Sequence, residues 1–242
     1  KEITIIPEIV LEGLLVGDGT VRNKKVALCI GEKDQDYYNS EISHLIEHTG
    51  YSFFRNSLID FPLNGNTYER DIDLSRYSTN SKKASFLRGL FTANGSCVEV
   101  TRGKNIVLTA SSEKVAVKAM YLLQSLGLSP RIYSSPEKNY KFNNGTYCSK
   151  KRFFVMLLKN SDVIYFNQHI GFIQKYKNEK SVVNYKIPKQ RKNNAKIFDR
   201  EYIGDFEVFH IEVDNSTHTY WTGGLNVSNC VLSSMNVYKH DE

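Results

Sequence analysis

The clearest hydrophobic pattern in this chain is a helical one that occurs twice and ends each time in a small-residue motif. Residues 11–20 spell LEGLLVGDGT, and residues 87–96 spell LRGLFTANGS. Each copy has two small residues four positions apart, which places both on one face of a helix. Two such faces can pack with their backbones unusually close. The repeat therefore predicts a pair of helices whose last polar residues, Asp18 and Asn94, lie side by side.

The ends of the two predicted helices suggest a metal site. The small residues are Gly13 and Gly17 in the first copy and Gly89 and Ala93 in the second, and a glycine suited to a left-handed C-cap follows each copy. A carboxylate is unfavourable at a helix C-terminus, because the helix dipole is negative there. A divalent cation would relieve that conflict, and oxygen ligands favour Mg2+. Two ordinary amphipathic helices that end in glycine are the alternative.

The rest of the pattern predicts helices and strands in a regular order. In the first half we predict a strand at 20–30, a helix at 34–48 and strands at 51–58 and 64–73. In the second half, Asn80 or Ser81 caps the helix with the second motif. A hairpin at 97–102 and 105–110 follows, then a helix at 115–126 capped by Ser112. Strands at 130–133 and 152–159 flank a polar insertion at 134–151, and Asn160 or Ser161 caps a last helix to Lys177.

The double motif resembles the LAGLIDADG family of homing endonucleases. The resemblance implies an α+β fold of two pseudo-symmetric αββαββα halves, residues 1–82 and 83–180, with paired central helices, in a monomer. It also implies that the last acid of each motif binds the metal for DNA cleavage. Asp18 fits, Asn94 stands where the second acid is expected, and the carbonyls of Gly17 and Ala93 are further candidate ligands for Mg2+.

The amide at position 94 leaves several outcomes open. It can give two unequal cleavage centres, so that the protein cuts one strand first or acts as a nickase. It can instead relieve repulsion with Asp18, so that one shared metal serves both strands. A third outcome is a DNA-binding or vestigial domain that does not cut.

Charge supports a nucleic-acid partner. The chain has a net charge of +6, and residues 175–200 carry nine basic and two acidic side chains. Such a segment favours a polyanion, although a solvated linker, assigned here to 181–202, has the same composition. The basic residues expected to contact duplex DNA are Arg22, Lys24, Lys25, Arg102, Lys104, Lys150, Lys151 and Arg152. In the family a lysine assists cleavage, and here Lys24, Lys25 and Lys104 are the candidates.

The C-terminal region has a different character. Residues 206–213 alternate like a strand, and the stretch from His218 to Asn229 and Cys230 resembles the C-terminal splicing blocks of inteins. In that role His218 transfers a proton, Asn229 cyclises and cuts the chain, and Cys230 accepts the acyl group. His210 and Ser228 depart from the usual residues. The splicing segment is assigned to 203–229 and the extein to 230–242, whose first seven residues resemble the large subunit of ribonucleotide reductase.

Splicing by this sequence needs a partner. Residue 1 is Lys, and no N-terminal splicing block is present. We therefore expect either a recombinant fragment or the C-terminal part of a split intein, with a separate N-terminal intein segment as its partner. Four scattered cysteines, no signal-peptide pattern and no run of eighteen apolar residues predict a protein of the cytoplasm, or of the host-cell cytoplasm if a phage encodes it, without a membrane partner.

One short motif points to a different function. His44, Glu47 and His48 fit the inverted zincin pattern H-x-x-E-H, which requires both histidines on one face of a helix. Five-residue patterns also arise by chance on polar helix faces, so zinc hydrolysis is the minor alternative.

We predict duplex DNA binding with a steep salt dependence, because the basic residues would neutralise phosphates and release counterions. The log–log slope of affinity against salt should steepen by about 0.9 for each phosphate neutralised. Fluorescence anisotropy over a salt series measures it. An affinity that does not change between low and moderate salt would contradict the prediction.

Overall fold

The computed structural model describes most of the first three quarters of the chain. The described residues are 2–22, 25–31, 34–45, 47–49, 52–54, 62–101, 103–142, 145–183, 201–202, 204–205, 219–222 and 225–228. The chain divides into two compact units, Lys1–Pro188 and Lys189–Glu242. Within the described residues the fold is mixed, with six α-helices and antiparallel sheets.

The first part of the larger unit consists of two helices and a small sheet. Its helices are α1 (Pro7–Asp18) and α2 (Gln35–Ile42), and its strands are β1 (Thr20–Arg22), β2 (Lys25–Cys29), β3 (Glu47–Thr49) and β4 (Ser52–Phe54). The four strands are antiparallel in the order β1-β2-β4-β3.

The second part begins with the same order of one helix, two strands and one helix, and then has more elements than the described residues of the first part. Its helices are α3 (Asn80–Asn94), α4 (Glu113–Ser125), α5 (Asn160–His169) and α6 (Lys175–Ser181). Its strands are β5 (Gly95–Val100), β6 (Gly103–Ala110), β7 (Arg131–Ser135), β8 (Lys138–Phe142), β9 (Gly145–Ser149) and β10 (Arg152–Leu157). The main sheet has the order β5-β6-β10-β7, and β8 and β9 form a separate hairpin. If that hairpin is set aside, both sheets have their fourth strand between the second and the third.

Helices α1 and α3 pack with their backbones in contact, as the small-residue spacing predicts. A Cβ atom at Gly13 would lie 2.1 Å from the Phe86 carbonyl oxygen, and one at Gly89 would lie 1.9 Å from the Val10 carbonyl oxygen. Neither position therefore has room for a side chain. The apolar residues around this seam form two cores, one on the α1 side and one on the α3 side.

The structure differs from four predictions in the first part. The expected strand at 20–30 is the hairpin of β1 and β2, because Arg22 pairs with Lys25. The expected helix at 34–48 ends at Ile42. The residues that follow include the turn of 3-10 helix Ser43–Leu45 and strand β3. His44, Glu47 and His48 are therefore not on one helix, which removes the basis for the zinc motif. The expected strand at 64–73 is a loop, in which the Asn64 and Asn66 side chains accept backbone N–H bonds.

Helix ends also differ from the predictions. Thr79, rather than Asn80 or Ser81, caps α3 by accepting from the Lys82 N–H, whereas Ser112 caps α4 as predicted. Gly19 and Gly95 have extended rather than left-handed backbone. The last predicted helix is divided into α5 and α6, and Gly171 between them has φ +62°.

The smaller unit is described only in short pieces. Strands β11 (Thr219–Thr222) and β12 (Leu225–Ser228) form an antiparallel hairpin that pairs Thr219 with Ser228. The predicted strand at 206–213 lies outside the described residues. In the part of the chain that is described, no helix is both long enough and apolar enough to cross a bilayer.

We predict that Gly13→Ala destabilises the fold by at least about 1–3 kcal/mol, the usual range for overpacking. The methyl group would meet the Phe86 carbonyl oxygen, which belongs to the backbone and cannot rotate away. The midpoint of urea unfolding measures the effect. The matched control is Gly31→Ala, since a Cβ atom there meets nothing within 4 Å. A Gly13→Ala midpoint at or above the wild-type value would contradict the close packing.

Candidate active site

The paired helices bring the four predicted metal-site residues together. Asp18 and Asn94 are the last residues of α1 and α3. A Cβ atom at Gly17 would lie 2.5 Å from the Ala93 Cβ. The Asn94 Nδ2 donates a hydrogen bond of 3.1 Å to the Gly17 carbonyl oxygen. The amide at position 94 therefore joins the two helix ends directly.

A buried arginine occupies the end of α1. Arg70 is 3% exposed, and its Nη1 donates to the carbonyl oxygens of Val16 (2.8 Å) and Gly17 (3.1 Å). Its Nη2 donates to the Gly19 carbonyl oxygen. The Ser112 Oγ donates to the Arg70 carbonyl oxygen at 2.5 Å, which fixes the arginine's own backbone. The guanidinium thus satisfies carbonyls that a helix C-terminus leaves without partners, and its charge opposes the helix dipole.

A lysine has the corresponding position at the end of α3. The Lys177 Nζ donates to the carbonyl oxygens of Thr92 (2.9 Å) and Gly95 (3.2 Å). The hydroxyl of Thr92 also accepts from the Ile173 N–H at 2.9 Å, which ties the chain before α6 to α3. Each of the two helix ends therefore carries a cation from a distant part of the sequence.

Sequence analysis did not identify either of these cations. Arg70 lies in a polar stretch predicted as a strand, and an arginine bound to carbonyls has no short motif. Lys177 belongs to the basic segment at 175–200, whose charge predicts contact with DNA and not with a helix end. Of the lysines considered for catalysis, Lys104 donates to the Lys180 carbonyl oxygen and pairs with Glu99 at 4.0 Å.

The Asp18 carboxyl lies in an environment that disfavours its charge. Desolvation by burial raises its pKa above the ordinary value of 3.8, and the nearby Arg70 and Lys177 lower it by less. The residue as a whole still exposes much of its surface. Asp18 therefore combines an energetic penalty on the carboxylate with access to solvent, which is typical of a functional rather than a structural acid.

The donor atoms at the ends of α1 and α3 include one charged oxygen ligand, the Asp18 carboxylate, and not two. The Asp18 carboxylate is a hard oxygen ligand at the negative end of a helix. The Gly17 carbonyl oxygen already accepts from Arg70 and Asn94. On the other side, the Asn94 amide has no charge and Lys177 holds the helix end. Among the described residues, no group of three or more His, Cys, Asp and Glu side chains could hold a metal.

The predicted DNA-contacting residues are partly described. Arg22 and Lys25 are opposite each other at the turn of the β1–β2 hairpin, but their side chains, and the whole of Lys24 and Arg102, lie outside the described residues. The exposed Lys150 lies over the Tyr68 ring at 4.3 Å, and the exposed Lys151 lies over the Phe153 ring at 5.0 Å. Arg152 is exposed at the start of β10.

The splicing candidates His218, Asn229 and Cys230 lie outside the described residues. Thr219 and Ser228, which pair across the β11–β12 hairpin, are the sequence neighbours of His218 and Asn229.

Comparisons with known proteins identify part of the chain. Residues 81–171 match the sequence model of the LAGLIDADG-like domain, which includes the second motif and the elements from α3 to α5. No curated protein sequence matches the chain.

The structural comparisons match at low sequence identity. Full-length DUF199/WhiA from Thermatoga maritima aligns with a TM-score of 0.45 and 14% identity over 72% of this chain. The alignment covers 58% of that protein, so this chain spans less than two thirds of its length. The N-terminal LAGLIDADG domain of DUF199/WhiA aligns with a TM-score of 0.42 and 14% identity. That alignment covers 73% of this chain and 87% of the domain. A variant of I-DmoI, in complex with its target DNA and in the presence of 2 mM Mn, aligns with a TM-score of 0.38 and 14% identity. That alignment covers 72% of this chain and 97% of the I-DmoI variant.

We predict that Asp18→Asn raises the thermal unfolding temperature at neutral pH. The folded-state pKa is raised, so the ionised carboxylate destabilises the fold at any pH above that pKa, and the amide removes the penalty. The gain should shrink as the pH falls through the folded pKa towards 3.8. Scanning calorimetry over a pH series measures it.

Asp71→Asn is the control of opposite sign. Desolvation raises the pKa of Asp71, but hydrogen bonds from Lys118 and the Ile72 N–H together lower it by more. The pKa of Asp71 is therefore below its ordinary value. This substitution should destabilise the fold at neutral pH and lose its effect in acid. A loss of stability for both variants at neutral pH would refute the assignment of Asp18 as a strained acid.

Proposed function

We propose that this chain is a site-specific, duplex-DNA-binding endonuclease of the LAGLIDADG type, embedded in an intein. The observation that carries the proposal is the backbone contact of α1 and α3, which places the exposed Asp18 and the amide of Asn94 at two adjacent helix ends. The match of residues 81–171 to the LAGLIDADG-like domain supports the same class. I-DmoI, one of the structural neighbours, is a homing endonuclease.

Two pseudo-symmetric halves would form the DNA-binding surface. Each of the paired helices leads directly into a four-stranded antiparallel sheet with the same strand order. Related sheets on either side of the helix pair would track the two halves of a duplex site, with basic side chains on phosphates and base edges. Lys150, Lys151 and Arg152 are the exposed cations that best suit phosphate contact in the second half.

Cleavage would depend on Asp18 and Mg2+. When bound, the metal would activate water and stabilise the leaving oxygen. The part of Asp18 is to supply a charged oxygen ligand, and Arg70 keeps the end of α1 in place beneath it through the Val16 and Gly17 carbonyls. Asn94 positions the two helix ends through its bond to Gly17. The neighbours crystallised with Mn or Mg support the use of a divalent metal.

A DNA-binding protein that does not cut is the second candidate. The observation that favours it is the presence of two cations, Arg70 and Lys177, near a single carboxylate. Such an arrangement weakens the attraction for a divalent cation. The alternative keeps the same DNA-binding surface and differs only in the chemistry at Asp18.

We further propose that residues 203–229 are the C-terminal splicing segment and that 230–242 belong to the host protein, a ribonucleotide reductase large subunit. His218, Asn229 and Cys230 supply the residue types that the last splicing steps require. An N-terminal intein segment would act as the partner.

We predict that Asp18→Asn abolishes DNA cleavage and leaves duplex binding within about threefold of wild type, because the change removes a metal ligand but keeps the size of the side chain. The substrate is a plasmid with the uninterrupted reductase sequence around the insertion site. Agarose gels measure cutting, and anisotropy measures binding. Asp205→Asn, at an exposed position of the smaller unit, is the matched control.

A magnesium titration in the same assay separates the candidates. Nicked circles that accumulate at low Mg2+ would support unequal centres, and equal rates on both strands would contradict them. Specific binding without cutting at any concentration would establish the second candidate. Wild-type cutting by Asp18→Asn would place the metal elsewhere.

We also predict that Asn229→Ala blocks release of the C-terminal peptide when an N-terminal intein segment is added, because alanine cannot form the succinimide. Intact-mass spectrometry detects the peptide that begins with Cys230. Asn226→Ala is the control, as an amide in strand β12 three residues earlier. Equal release from both variants would refute the splicing assignment.

A further inference from the structure

The ammonium group of Lys177 is bound at the end of α3, where the second motif has Asn94 in place of an acid. We propose that Lys177 takes the place of the second divalent cation, so that the Asn94 end of the helix pair is a metal-free centre closed by an ammonium group. The inference rests on the proposed function in one respect, namely that Asp18 binds a divalent cation.

The contacts of Lys177 are those of a cation at a helix C-terminus. Its Nζ donates to the carbonyl oxygens of Thr92 and Gly95, which flank Ala93 and Asn94. These two carbonyls lie directly before and after Ala93 and Asn94, whose carbonyl oxygen and side chain are the predicted ligands of a second metal. An ammonium with two such bonds neutralises the negative end of the helix without a metal.

The segment that carries Lys177 is fixed on α3. The Ile173 N–H donates to the Thr92 hydroxyl at 2.9 Å. The Asn178 side chain bonds the Phe172 backbone at both ends, accepting from its N–H at 2.8 Å and donating to its carbonyl oxygen at 2.7 Å. Lys177 therefore reaches the end of α3 from helix α6, and these hydrogen bonds hold the start of α6 against α3.

The amide at position 94 and the lysine complement each other in charge. A carboxylate with Mg2+ and an amide with one ammonium group have the same net formal charge, a single positive charge. The amide also gains a role that a carboxylate cannot perform, because its Nδ2 donates to the Gly17 carbonyl oxygen. The replacement preserves the electrostatic balance of the helix ends and adds a bond across the seam.

The test counts bound metal without DNA, so that it does not depend on cleavage. Wild type, N94D, N94D/K177M and N94D/K175M are titrated with Mn2+ by calorimetry, and free Mn2+ is followed by electron paramagnetic resonance. Lys175 is exposed on the same helix, so K175M is the matched control for loss of a positive charge. Methionine removes the charge but keeps an unbranched side chain of similar length beside the Phe172 ring, over which the Lys177 Nζ lies at 5.6 Å.

We expect N94D/K177M to bind one more Mn2+ than wild type, at least about tenfold more tightly than any added site in N94D or N94D/K175M. In N94D alone Lys177 still donates to the Thr92 and Gly95 carbonyl oxygens, so we expect any added Mn2+ site to be at least about tenfold weaker than the first. Two Mn2+ ions bound by wild type would overturn the proposal, as would a second site of equal strength in N94D and N94D/K177M.

The same set of variants separates a folding defect from a change in metal binding. If circular dichroism shows that N94D/K177M is unfolded, N94D alone decides: a second Mn2+ bound as tightly as the first overturns the proposal, and a second site that is absent or at least about tenfold weaker supports it. The proposed function fails independently, if the wild-type chain does not bind duplex DNA specifically, whatever its metal count.

Discussion

The contact between the backbones of α1 and α3 is the constraint on which the rest of the structure depends. Gly13 and Gly89 lie against carbonyl oxygens of the opposite helix, at distances that exclude a single methyl group. Such an approach leaves no freedom to rotate or slide one helix along the other, because interiors are close-packed. The seam fixes where Asp18 and Asn94 meet and where each of the two sheets begins.

Close packing of two parallel helix ends creates an electrostatic problem. Both C-termini present carbonyls without helical partners, and both dipoles are negative at the same place. The chain resolves this with two side chains, Arg70 and Lys177, each bound to at least two carbonyl oxygens. Both cations come from segments outside the motif helices, so the packing of those segments is coupled to the integrity of the site.

The helix pair could be predicted from sequence because its signal is local. Small residues four apart, a polar end residue and a glycine are all within ten positions, and the repeat occurs twice. The hairpin of β5 and β6 and the Ser112 cap follow equally local rules. The β1–β2 turn could not be located in the same way, because no Gly or Pro marks it between Arg22 and Lys25.

The cations at the helix ends could not be predicted because nothing in their neighbourhood encodes their partners. Arg70 is more than fifty residues from the Val16 and Gly17 carbonyls of α1, and Lys177 is more than eighty from those of Thr92 and Gly95. A lysine bound to a carbonyl and a lysine in water have the same local sequence. The split of the last predicted helix has a local origin instead, since Gly171 follows the C-cap of α5 with φ +62° and its N–H donates to the Phe166 carbonyl oxygen.

The two helix ends have reached different solutions to the same conflict. At the end of α3 the Asn94 amide donates to the Gly17 carbonyl oxygen, and the Lys177 ammonium donates to those of Thr92 and Gly95. At the end of α1 the Asp18 carboxylate keeps a charge that desolvation disfavours, although Arg70 is already close. Neutral Asn94 shows that the fold does not need a carboxylate at a motif end. The acid at position 18 is therefore best explained by a ligand or a reaction that acts on that end alone, and the asymmetry of the site follows from the chain's own chemistry.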